Sequence, residues 1–124
     1  MIEFNLEAWQ TRRIIASMPL STAPTLPGRE IIETIDIVGA QCVYGVNALA
    51  DLAGGLREFV GGRSQGLQKK IAEARAKVCQ ELREAAHQLG GNAVIAVTID
   101  HAEIGDKGGF MLMVTGTGTA VLTR

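Results

Sequence analysis

The segment TIDHAEIGDKGG, residues 98–109, places His101 and Glu103 two positions apart, with Asp106 close behind. On a strand, alternate side chains share a face, so His101 and Glu103 would project together, with Asp106 in the adjacent loop. An imidazole and two carboxylates are a ligand set for a divalent ion, which makes these three residues the candidate metal site. A solvated strand end beside a charged turn accounts for the same letters. The remaining soft ligands are dispersed: Cys42, Cys79 and His87 stand far apart in sequence. Cys79 and His87 share a helical segment, yet a separation of eight residues is about 12 Å along a helix axis, too far for one ion. They read as a helix-flank thiol and a surface imidazole.

The second stretch with chemical content is FVGGRSQGLQKK, Phe59 to Lys70. A phosphate loop needs G-x-x-x-x-G-K-[ST] after a strand, so that amides and a lysine surround the anion. Gly61 and Gly66 have the glycine spacing, but Leu67 stands in the lysine position. A dinucleotide fingerprint fails as well, because Gly116 and Gly118 are followed by Val121 at the third glycine position. What remains is a turn in which Gly61 and Gly62 end one helix and Ser64 caps the next. Arg63 beside that helix start would also hold a carboxylate or phosphate, so Arg63 and Ser64 are the candidate anion site. Nucleophilic catalysis has no support, since neither Cys42 nor Ser64 has an evident basic partner. No enzyme is expected.

These residues must be positioned by a chain of 124 residues, the size of one domain with one core. Hydrophobic residues make up 47% and the formal net charge is −1, so the chain should fold and has no electrostatic pull toward nucleic acid or anionic lipid. Two cysteines and no charged, apolar leader argue against a disulfide framework or secretion, and no apolar run reaches membrane-span length. The expectation is a cytoplasmic protein without nucleic-acid or membrane partners.

Residues 1–24 read as an N-terminal arm, closed off by the prolines and glycine of APTLPG. If it is helical, Phe4, Trp9 and Arg13 fall near one another. The arm should dock on its own domain or on a neighbour. In the domain that follows, 25–124, EIIETIDIV reads as a half-buried strand continuing toward Tyr44, and NALADLAGGLREFV as a short amphipathic helix. A long helix from Gln65 to Leu89 is predicted by Leu67, Ile71, Ala74, Val78, Leu82, Ala85 and Leu89, with Gly90 and Gly91 to end it. Lys69, Glu73, Lys77 and Glu81 form a ladder of alternating charge on its outer side. Two strands, NAVIAVTID and FMLMVTGTGTAVLT, joined by GDKGG, complete an antiparallel hairpin.

On the first hairpin strand, alternation puts Ala93, Ile95, Val97 and Ile99 on one side and Val94 and Ala96 on the other. Both sheet faces are then apolar while helices exist for one. A second copy is the expected cover of the other face, with the arm as its rival. Gly116 and Gly118, successive on the helix-facing side of the last strand, would let the helix come close.

Taken together, GREIIETIDIVGAQCVYGVNALADLAGGLREFVGGRS, AEARAKVCQELREAAHQLGGNAVIAVTID and GGFMLMVTGTGTAV resemble the YbjQ family of small bacterial proteins, described as heavy-metal-binding domains. The resemblance runs from about Thr25 to Arg124. It implies an α+β subunit on a dodecin-like β-α-β-β plan, a small antiparallel sheet backed by one long helix, assembled into a ring and typically a pentamer. The implied task is binding or scaffolding, with a divalent metal as the implied cofactor and no catalytic residues. GGRS matches the family, whereas Gln41, Leu67 and Gln68 stand where its members often carry Glu, Tyr and Glu. Cys42 and Cys79 replace an alanine and an aromatic residue and inherit no ligand role.

Overall fold

A computed structural model describes residues 4–45, 65–106 and 109–124. The short helix expected within 47–59, and the residues Arg63 and Ser64, lie outside the described residues. The described residues form an α+β unit of two helices and a three-stranded antiparallel sheet: α1 (Leu6–Ala16), β1 (Ile31–Tyr44), α2 (Gln65–Gln88), β2 (Ala93–Asp106) and β3 (Gly109–Thr123). The strand order is β1-β3-β2, so the last strand is the central one.

Helix α2 buries Ala74, Val78, Leu82 and Ala86, a stripe at a spacing of four, against one face of the sheet. Leu89, expected on that stripe, is 46% exposed, because the helix has ended before it. Gly90 takes a φ of 89°. Its amide donates to the His87 carbonyl at 3.0 Å and that of Gly91 to the Ala86 carbonyl at 2.8 Å, a Schellman pair that satisfies these two terminal carbonyls. On the outer side the charge ladder does not close into pairs. The ion pair formed there, among the described residues, is Lys70–Glu73 at 3.6 Å.

The inner face of β3 presents Leu112, Val114, Gly116, Gly118 and Ala120, all buried. A methyl group on Gly116 would lie 2.5 Å from Val78 Cγ1, so at this position glycine is what lets α2 seat on the sheet. Gly118 works differently: its missing side chain makes room for Val94 and Val97 of β2 rather than for the helix.

Those two valines share a face because β2 does not alternate as expected. The pairing with β3 jumps from Ile95↔Thr119 to Thr98↔Thr117, and Ala96 carries a φ of 52°. One extra residue reverses the parity of a strand. Val94, Val97 and Ile99 therefore belong to the core beneath α2, whereas Ala93 and Ile95 pack on the opposite face with Val121, Leu26 and Ile31. The hairpin is also tighter than read. Pairing continues through Gly105↔Phe110 and Asp106↔Gly109, which makes Asp106 the final residue of β2 instead of a loop residue.

Residues 18–23 are bound into the sheet unit. Met18 is 4% exposed, and Leu20 bridges Val94 in parallel. Amide donors from Ser21 to the Val94 carbonyl and from Val97 to the Ser21 carbonyl, both 2.9 Å, cover the outer edge of β2. An uncovered strand edge is a template for aggregation, and this extension blunts it. Helix α1, by contrast, buries none of its residues. Removing 1–22 should therefore lower the melting temperature by itself, because Met18 and the edge bonds go with it. Removing 1–17 leaves them in place and should change the melting temperature little, so any change of assembly mass in that shorter truncation reports on α1 alone.

Candidate functional site

His101 and Glu103 lie on β2 opposite Val114 and Leu112, hence on the same side of the sheet as α2, beyond the helix's cover, and both are exposed. The strand places the two together as their spacing required. Asp106 follows at the end of β2, opposite Gly109. Among the described residues, no three His, Cys, Asp or Glu side chains converge closely enough to hold a metal ion. A structural divalent or soft ion takes four or more ligands, so His101 and Glu103 do not by themselves fit one.

A second polar group gathers at the same end of the sheet. Tyr44 at the end of β1 and Cys42 two positions before it point toward α2, opposite Leu112 and Val114. Lys70 lies over the Tyr44 ring at 5.2 Å and pairs with Glu73. Loss of water around Tyr44 raises its phenol pKa, helped by a hydrogen bond with the Cys42 thiol, by charge on that thiol and by the Glu73 carboxylate. A raised value leaves the phenol neutral throughout the physiological range. The cluster is a packed, satisfied one, with no orphaned buried polar side chain among the described residues.

The opposite end of the sheet holds a cleft of about 390 Å³, between the end of α1, the end of α2 and the start of β1. Ile14, Met18 and Pro19 form its apolar wall, with Arg29, His87 and Ser17 around it. Asn92, also on the lining, is fully engaged: it accepts from the Thr123 amide at 2.8 Å and hydroxyl at 3.0 Å and donates to the Thr123 carbonyl at 2.9 Å. Arg29 and His87 are 58 positions apart, and no spacing pattern in the sequence links them.

Among the described residues, the side of the sheet away from α2 is only partly covered. Leu26 and Ile31 protect one end of it. Further along, Ile37 is 77%, Val43 49%, Ile104 56% and Met111 39% exposed, around Thr115, Thr117 and Thr119 of the central strand. The arm does not lie there, because α1 packs beside α2. The ring of Phe4, just before α1, is 6.2 Å from that of Trp9 on the helix, and the Arg13 guanidinium is 4.9 Å from the Trp9 ring, which agrees with the clustering expected for a helical arm.

Comparison with known proteins gives a consistent picture. The YbjQ family model, described as "Putative heavy-metal-binding", matches residues 18–124. UPF0145 proteins of Listeria monocytogenes and Listeria innocua are 44% identical over 105 residues, covering 85% of this chain and 94% of theirs. Among solved structures, a protein of unknown function of the DUF74 family from Pediococcus pentosaceus superposes with a TM-score of 0.60 at 20% identity, over 85% of this chain and 96% of that one. That likeness supports the fold alone.

Proposed function

Because this chain belongs to the YbjQ family, whose members compared above carry no assigned reaction, we propose that it is a cytoplasmic, ring-forming homo-oligomer that serves as a binding scaffold. The observation that carries this reading is the sheet face of Ile37, Val43, Ile104 and Met111, which neither of the two described helices covers. Val43, Ile104 and Met111 gather at one end of this face and Ile37 stands nearer the other, with Thr98, Gln41 and Asp100 between them, and exposed apolar area of this kind is an association surface by its chemistry. A second copy is the occupant best matched to it. The face sets aliphatic and methionine side chains around a row of threonines, with Gln41 and Asp100 on either side of Thr115, and a second copy offers the same strand-scale relief. Pressed on its own copy, this face gives a two-fold dimer, whereas a head-to-tail contact closes a ring, the assembly that the family resemblance implies, with five subunits. In that ring the arm straps a neighbour: an 11-residue helix is marginal on its own, and Phe4 just before α1 and Leu6 at its start stay exposed while α1 lies beside α2.

Metal binding is the second reading, favoured by the family description and by the shared face of His101 and Glu103. It requires further ligands, from Asp106 or across a subunit boundary. Native mass spectrometry of freshly purified protein tests both readings. We expect a multiple of the subunit mass, and a single chain at micromolar concentration would end the scaffold reading. One divalent ion per subunit, lost on His101→Ala, would favour the metal reading.

A further inference from the structure

We propose that the cleft between α1 and the end of α2 binds a small organic acid, whose carboxylate pairs with Arg29 and His87 and whose short apolar stem lies on Ile14, Met18 and Pro19. The volume of about 390 Å³ lies within the range of roughly 300–1,000 Å³ usual for small-ligand sites. Such sites combine apolar walls with a few convergent polar groups, and this lining has that make-up. Arg29 is an unpaired cation among the described residues: its contact with protein is a long bond of 3.5 Å from Nη1 to the Thr123 hydroxyl, and no carboxylate neutralises it. That leaves most of its fork of donors for a planar oxyanion. His87 lines the same cleft and has no hydrogen bond from either ring nitrogen among the described residues, so it can add a donor.

Two features of the fold prepare the place for negative charge. A helix C-terminus ordinarily repels an anion through its free carbonyls. Here the carbonyls of Ala86 and His87 are already taken by the amides of Leu89, Gly90 and Gly91. The Ser17 hydroxyl, which donates to the Ile14 carbonyl at 3.0 Å, and the bond from Arg83 Nε to the Met18 carbonyl at 2.9 Å hold the apolar wall against α2. The site therefore exists in a single chain and does not depend on the scaffold reading.

The test uses the full-length, ¹⁵N-labelled protein titrated with hexanoate, with acetate and hexanol as probes of each half of the ligand. The chain has two histidines, so the two imidazole signals serve as site and control. Hexanoate should move the His87 signal saturably and leave that of His101 in place, while acetate and hexanol bind far more weakly. Arg29→Gln should weaken hexanoate at least roughly tenfold, the scale of one charge-assisted hydrogen bond. Ile14→Glu, a change at a side chain that is 57% exposed and so compatible with folding, should abolish binding by setting a carboxylate in the wall. An unmoved His87 signal, equal responses to acetate and hexanoate, or an Arg29→Gln protein that binds as well as the parent would overturn the proposal. Subunit number, read separately by native mass, distinguishes this failure from failure of the scaffold.

Discussion

Leu82→Ala should destabilise the protein by about 2–5 kcal/mol, while Leu89→Ala should cost well under about 1 kcal/mol. Both leucines stand on the same apolar stripe when the helix is read from its periodicity. In the structure Leu82 is completely buried, in contact range of where a side chain on Gly116 would be, whereas Leu89 is 46% exposed beyond the last turn. Removing the Leu82 side chain loses its transfer energy and leaves a void that a close-packed layer of Val78, Ala86 and Val114 cannot fill without moving backbone. Against a net stability of roughly 5–15 kcal/mol for a domain, the loss is a large share. Urea unfolding at one fixed protein concentration measures it, since association would otherwise add to apparent stability. Equal effects of the two substitutions would mean that α2 does not end at the Gly90–Gly91 turn.

The paired change Ile37→Glu with Val43→Glu should reduce the assembly to single chains and leave the secondary structure unchanged. In one chain both positions are open to water, so two carboxylates there are solvated and cost the fold little. Pressed against another copy they become buried charges without partners, a penalty of several kcal/mol, or about a thousandfold or more in association. Native mass and circular dichroism together decide the matter. An unchanged oligomer would show that the sheet face is not its interface.

How far the sequence carried depended on the range of the interactions involved. The long helix, its Gly90–Gly91 ending, the three strands and the Phe4–Trp9–Arg13 cluster are set by neighbours within a few residues, and spacing alone revealed them. The bulge at Ala96 is different. Nothing in NAVIAVTID marks an extra residue, because what forces it is the fit of Val94 and Val97 over Gly118 on another strand. The pairing of residues 19–23 with the edge of β2 was hidden for the same reason. APTLPG reads as a boundary, yet the backbone leading into it, from Pro19 to its own first residue Ala23, makes sheet hydrogen bonds with Val94, Ala96 and Val97. The shared face of His101 and Glu103 was legible from their spacing, whereas the meeting of Arg29 and His87 was not. That meeting follows from where β1 starts and α2 stops, a matter of topology.

The strand order has a consequence in time. Since β1 and β2 both pair with β3 and not with each other, a nascent chain holds two unpaired strands and an apolar helix stripe until the third strand has been made. At about 5–20 residues per second, the interval between synthesis of β1 and of its partner lasts seconds, long compared with hairpin formation in microseconds. The β2–β3 hairpin can close at once when it emerges, and β1 must then find it across the whole length of α2. For a cell, this makes the half-synthesised chain the species most exposed to chaperones and to misassociation, and the arrival of a single strand the event that ends the exposure.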